Sequence, residues 1–132
     1  MSAIPIVICG RSPEIALKVQ QDLAPEYNVV RIVLSPDQGI NEIPQLLSGP
    51  NPPVAVALGG AFDDATVDSM RAAASTAGEV VWLRVDKDRM SEMPSMDDKE
   101  GFGAALARRI KTCLQENRVG QQGAEKGGVF LC

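Results

Sequence analysis

Four short apolar runs, each followed by a stretch of helical period, constrain this chain more than any other feature of its sequence. The runs are residues 4–9, 27–34, 54–58 and 80–85. Strands separated by helices in this way pair in parallel, with helices covering both faces of the sheet. Runs one and three carry no charge, as strands buried on both faces require, whereas runs two and four contain Arg31 and Arg84 and read as edges. The expected architecture is a three-layer α/β domain with a four-stranded parallel sheet of order 2-1-3-4.

Helix signals fall between the runs. Ser12 followed by Pro13 supplies an N-cap and a first helical residue; Ile15, Ala16, Val19 and Leu23 then share one face until Pro25 ends the helix. Residues 35–39 read as turn, with a short helix through Ile40, Ile43, Leu46 and Leu47 that stops in the Gly- and Pro-rich 49–53. Asp63 or Asp64 caps a third helix through Val67, Met70, Ala73 and Ala74, ended by Gly78. A fourth, over 101–117, aligns Phe102, Leu106, Ile110, Cys113 and Leu114. Before it, residues 87–100 hold Met90, Met93 and Met96 and read as a loop or a docking segment. The domain is expected over 1–118, followed by a polar tail over 119–132 whose last four residues dock as a short strand or dangle.

With 132 residues, 45% of them hydrophobic, the chain has material for one core and one domain. A net charge of −4 repels phosphate backbones and anionic headgroups, so neither nucleic acid nor a membrane surface is an expected partner. Histidine is absent, which removes Ser-His-Asp and Cys-His activation and imidazole acid–base chemistry together. The first residues have no basic segment and too short an apolar run for a signal peptide or a span, so a cytoplasmic location is expected. Cys9, Cys113 and Cys132 are an odd, scattered set that fits reduced thiols.

Ligands in open α/β sheets bind at the carboxyl ends of the strands where the order reverses, here between runs one and three. That crevice would be lined by Cys9, Gly10, Arg11, Ser12, Gly59, Gly60, Asp63 and Asp64, with Ser35, Asp37, Asp86, Lys87 and Asp88 further out. The turn Cys9-Gly10-Arg11-Ser12-Pro13-Glu14-Ile15-Ala16 resembles the first βα turn of Rossmann domains of the short-chain dehydrogenase and NmrA-like families, with Gly10 at the tight turn. Residues 54–60, the small-residue helix end 72–78 and the run 79–85 resemble the NmrA-like passage from a cofactor-side strand through a helix into the next strand.

The resemblance implies a Rossmann-like or flavodoxin-like fold and an NAD(P)-type dinucleotide held by Gly10, Arg11, Ser12, Ser35, Gly59 and Gly60. In the family's spacing the second and third glycines fall on Glu14 and Ala16. Glu14 repels a phosphate 4 Å away by about 4 kcal/mol at an effective dielectric of 20, which Arg11 offsets. The families' Tyr-x-x-x-Lys pair is missing, since the lone Tyr27 has no lysine four residues on, and the sequence ends where those families continue. A nucleotide-type site without dehydrogenase chemistry is what these departures leave.

Several residues carry two readings. Cys9, beside Arg11 and a helix N-terminus, is a reactive thiol or a small buried strand residue. Asp63, Asp64, Asp86 and Asp88 gather for Mg²⁺, as acids do in receiver domains, or they cap helices and face water. Receiver domains need acids directly after strand one, where this chain has Gly10-Arg11. Trp82 on an edge strand is a homodimer contact or ordinary packing. The leading expectation is a non-catalytic Rossmann-like protein with a degenerate nucleotide site, a sensor or a binding and interaction module that forms a homodimer or binds another protein. One alternative is a small enzyme of unfamiliar type, with Cys9 as nucleophile or with Arg11 and Ser12 gripping an anionic substrate while Asp63 or Asp86 moves protons. The other is a structural partner protein that docks through the methionine segment and the tail.

Overall fold

The computed structural model describes residues 3–50, 52–59, 62–78, 80–85, 94–95, 97–117, 119 and 128–131. The elements in chain order are β1 (Ile4–Cys9), α1 (Pro13–Leu23), β2 (Tyr27–Val33), α2 (Pro36–Leu47), β3 (Ala55–Leu58), α3 (Asp64–Ser75), β4 (Val81–Arg84), α4 (Lys99–Glu116) and β5 (Gly128–Leu131). The strands form one parallel sheet of order β2-β1-β3-β4-β5. The four-strand expectation is thus corrected to five. Gly128–Leu131 is uncharged and extended, and it pairs with β4 from Val81 opposite Gly128 to Arg84 opposite Leu131.

β4 is therefore an interior strand. Arg84 misled because it is the strand's last residue, so its guanidinium leaves the sheet at the carboxyl end and meets the Asp64 carboxylate at 2.6 Å. Trp82 is only 4% exposed and packs in the core beneath α3, so it is not available as an edge contact for a second copy. Arg31 does mark the opposite edge, β2, where it pairs with Glu42 at 3.2 Å.

Alternation along the strands divides the core in two. Ile6, Ile8, Val29, Ala55, Ala57, Val81 and Leu83 face α1 and α4, whereas Val7, Cys9, Val33, Val56, Leu58 and Trp82 face α2 and α3. The stripe read on the fourth helix, Phe102 to Leu114, is buried on the first of these faces. Each fully buried aliphatic chain such as Leu23 or Leu114 contributes about 1.5–3 kcal/mol. α1 and α4 approach closely at Gly103, where a β-carbon would lie 2.8 Å from Lys18 Cβ.

α2 begins a full turn before the expected start at Ile40. Ser35 Oγ accepts from the Gln38 N–H at 3.2 Å and Pro36 occupies the first helical position, the same Ser-Pro signal that starts α1. Gly39 had argued for a turn, but it is buried inside the helix beside Met70 of α3.

The two-face arrangement also fixes the hand of each crossover. From β1 the chain moves one way along the sheet through α1 on one face; it then moves the other way through α2 and α3 on the opposite face, which preserves the hand. α4 carries the chain onward in that second direction but lies on the α1 face. The β4–α4–β5 crossover thus has the opposite hand to the first three, against a rule that about 98% of such connections obey. Its consequence is visible at β5, where no described helix covers the α2/α3 face and Val129 and Leu131 stay 39% and 64% exposed.

Candidate functional site

The carboxyl ends of β1, β2 and β3 converge as the strand-order rule requires, since the order reverses between β1 and β3. Gly10, Arg11, Ser12, Ser35 and Gly59 all sit at these ends. Gly60, Asp86, Lys87 and Asp88, Met90, Met93 and Met96, and Cys132 lie outside the described residues. Among the described residues there is open space above Gly10, because a β-carbon there would meet none of them within 4 Å. Arg11 is exposed at the lip of that space.

A phosphate cradle needs unspent backbone N–H groups, and here most are in use. Gly10 N–H donates to the Val33 carbonyl and Gly59 N–H to the Cys9 carbonyl, each at 2.9 Å, so both glycines extend the sheet ladder. Ser12 Oγ accepts from Ile15 N–H at 3.3 Å, and Asp63 Oδ1 accepts from Thr66 N–H at 2.8 Å. Pro13 and Pro36 have no N–H at all. The helix ends that could bind an anion are closed instead by their own caps. Ser12→Ala or Ser35→Ala is accordingly expected to cost about 1 kcal/mol of stability, read as a lower urea midpoint with an unchanged slope.

Charge around the turn is balanced. Lys99, at the start of α4, reaches the Glu14 carboxylate at 3.2 Å, so the residue standing where the resemblance has a glycine is paired. Neither Lys99 nor Arg84 was read as part of the site. Lys99 is 85 residues from Glu14 in sequence, and only the packing of α4 on α1 reveals it. Arg84 holds Asp64 to the end of β4, and Asp63 is a helix cap, so neither aspartate is placed as a proton carrier. Among the described residues no group of three or more acidic or cysteine side chains gathers to hold a metal.

Cys9 closes the list of candidates. Its side chain is 2% exposed on the α2/α3 face, and burial raises its thiol pKa far above the ordinary range. The helix N-terminus and Arg11 do not activate it, because the sulfur lies inside the core rather than in the crevice. Tyr27 lies at the opposite end of the sheet, where β2 starts opposite Ile4, and is 6% exposed in the α1/α4 core.

A five-stranded parallel sheet of order 2-1-3-4-5 with helices on both faces defines an α/β protein with the strand order of flavodoxin and CheY. One chain of the crystal structure of the P1 domain of CheA3 in complex with CheY6 from R. sphaeroides superposes with a TM-score of 0.52 over 87% of this chain and 99% of that one, at 18% identity. That likeness shows the fold alone. No family model matches the chain. In sequence the chain is 32% identical over 127 residues to kojic acid related protein 6 of Aspergillus oryzae (strain ATCC 42149 / RIB 40), covering 87% of this chain and 78% of the relative. It belongs to the family of that protein. No helix among the described residues is long and apolar enough to cross a membrane.

Proposed function

We propose that the chain is a non-catalytic binding and interaction module whose strand-end crevice is a degenerate nucleotide site. The observation that carries this reading is that the crevice's polar groups are already committed: Ser12, Ser35 and Asp63 to caps, Gly10 and Gly59 N–H to the sheet, Glu14 to Lys99, and Cys9 to the core. Among the described residues no nucleophile–base pair remains for acyl or hydride chemistry. What remains is room above Gly10 and the exposed Arg11, a place where an anionic ligand is attracted without being converted. The partner is a protein, a second copy of the chain included. The superposed chain's structure holds a protein complex, which supports the same use of this fold.

A thermal-unfolding scan with NAD(H), NADP(H), ATP and Mg²⁺ each in large excess tests this. Kojic acid joins the panel because the relative's name refers to it. A ligand at 100 times its Kd stabilises the fold by about 2.7 kcal/mol, a shift on the order of 10 °C for a domain of this size. A dinucleotide shift that Arg11→Ala abolishes, without turnover of alcohols or carbonyls, is the expected result. Turnover overturns the reading. No shift with any ligand removes its nucleotide half and leaves the protein-binding half standing alone.

A further inference from the structure

We propose that the outer edge of β4 is a strand-acceptor groove and that β5 is its tethered, displaceable occupant. The external occupant is an extended, uncharged segment of a partner protein with an aromatic ring at the position of Phe130, and longer than the four residues of β5. The proposal rests on the interaction-module half of the reading above and is independent of the crevice.

β4 is built to be an interior strand. With β5 in place, Val81, Trp82 and Leu83 are each less than 5% exposed, on alternating faces, and they belong to the cores on both sides of the sheet. β5 by contrast adds little. Of its four residues only Phe130 packs against the core, over the α1/α4 face opposite Leu83, while Gly128, Val129 and Leu131 are exposed. It arrives through a crossover of the disfavoured hand, which leaves it without a described helix over its other face. Among the described residues, parallel backbone hydrogen bonds, one aromatic anchor and the Cys113 thiol of α4, which donates to the Leu131 carbonyl at 3.9 Å, hold β5 in place, and the first two are the chemistry of strand addition by a peptide.

The seated strand also shows what the groove selects: no charge, no proline, and a ring opposite Leu83. Eight residues, Gly120 to Gly127, join Val119, buried at the end of α4, to the start of β5. A short tether of this kind holds a strand at an effective concentration in the millimolar range. The identical strand of a second copy at micromolar concentration does not compete with that. A successful occupant therefore has to bring more contacts than β5 does, which is why a longer segment of another protein is assigned.

The test uses the full chain and its Phe130→Ala variant with a fluorescein-labelled peptide Gly-Gly-Val-Phe-Leu-Val-Thr-Val and the same peptide with Ala for Phe. The variant is expected to bind the Phe peptide at least about tenfold more tightly than the unsubstituted chain, because its internal competitor has lost its anchor. Binding should slow amide exchange over 81–84, and the Ala peptide should bind at least about tenfold more weakly. The proposal fails if neither chain binds at millimolar peptide, if both chains or both peptides bind alike, or if Phe130→Ala unfolds, which would make β5 integral to the fold. A concentration-dependent strand-exchanged dimer of the unsubstituted chain would overturn the partner assignment in favour of a second copy. Nucleotide-dependent thermal shifts read the crevice separately, so failure of one idea leaves the other measurable.

Discussion

Replacing Gly103 by leucine is expected to lower the unfolding midpoint by about 10 °C, a loss of about 2–3 kcal/mol in a domain of this size. The seam between α1 and α4 closes around the missing side chain: a β-carbon would lie 2.8 Å from both Cβ and Cγ of Lys18 and 3.4 Å from the Ile15 carbonyl oxygen. Lys18 Cβ is fixed to the helix backbone and cannot swing aside as a side-chain tip can. The helices must separate, and with them the cluster of Val19, Leu23, Leu106, Ile110 and Leu114 that fills the face. Leucine is a better helix former than glycine by about 0.8 kcal/mol, so the clash is read against a favourable propensity term. Arg108→Leu, at an exposed position on the same helix, is the control and should stay within about 0.5 kcal/mol of the parent. The Gly103 variant should also weaken the crevice's charge balance, because the Lys99 to Glu14 ion pair spans the same seam. Equal midpoints for the two variants would show that α1 and α4 are not held at the observed separation.

Much of the fold was legible because the signals were local. Ser12-Pro13, the uncharged runs at 4–9 and 54–58, and the apolar stripe of the fourth helix each concern a few neighbouring residues, and each forms the element expected. Ser35-Pro36 carried the same start signal as Ser12-Pro13 but was outweighed by Gly39, whose place beside Met70 depends on how α3 packs. The fifth strand was legible only as one of two readings of the last four residues, a docked short strand or a dangling end. Four residues after a glycine-rich stretch give no periodicity to count, and whether they pair is decided by the vacant edge of β4. A sheet of four strands made β4 an edge and Arg84 an edge marker, and left Trp82 open as a contact residue or ordinary packing, of which the structure shows packing. The hand of the last crossover is further from the sequence still, since it depends on which face α4 chooses.

For the crevice, the sequence located the residues but not their occupations. Gly10, Arg11, Ser12, Ser35 and Gly59 do meet at the strand ends, because parallel strands of order 2-1-3 bring them there. That their donors and acceptors are used by ladders and caps is a matter of hydrogen-bond geometry. Lys99 at Glu14 is a tertiary contact, and no local pattern announces it.

Cys9 offers the sharpest separation between a binding module and an enzyme. In the folded protein, alkylation of Cys9 by iodoacetamide at pH 8 should run on the order of a hundredfold or more slower than in urea, followed by peptide mass spectrometry. The cause is burial: the thiol is 2% exposed in the α2/α3 core, where desolvation penalises the thiolate and raises the pKa. The same shift makes stability depend on pH in a defined direction. In the unfolded chain the thiol loses its proton near pH 8.5, whereas in the fold it keeps it, so above that pH the native state binds more protons than the unfolded one. Stability is fully present below pH 8.5 and falls above it, by up to about 1.4 kcal/mol per pH unit from this group. Tyr27, whose pKa is raised by burial and by Glu26 against the opposing charge of Lys111, adds a decline of the same sign above its ordinary value near 10. Urea midpoints of the parent and of Cys9→Ala at about pH 8, 9, 10 and 11 separate the two contributions, since the Cys9 part vanishes in the variant and the Tyr27 part, which sets in above about pH 10, does not. Rapid labelling of Cys9 in the native state, or parent and variant midpoints that fall in parallel, would show that the thiol is not held protonated in the core and would reopen the reading of Cys9 as a nucleophile. Slow labelling with a steeper decline in the parent excludes Cys9 as a nucleophile at the strand ends, which is the outcome the binding-module proposal expects.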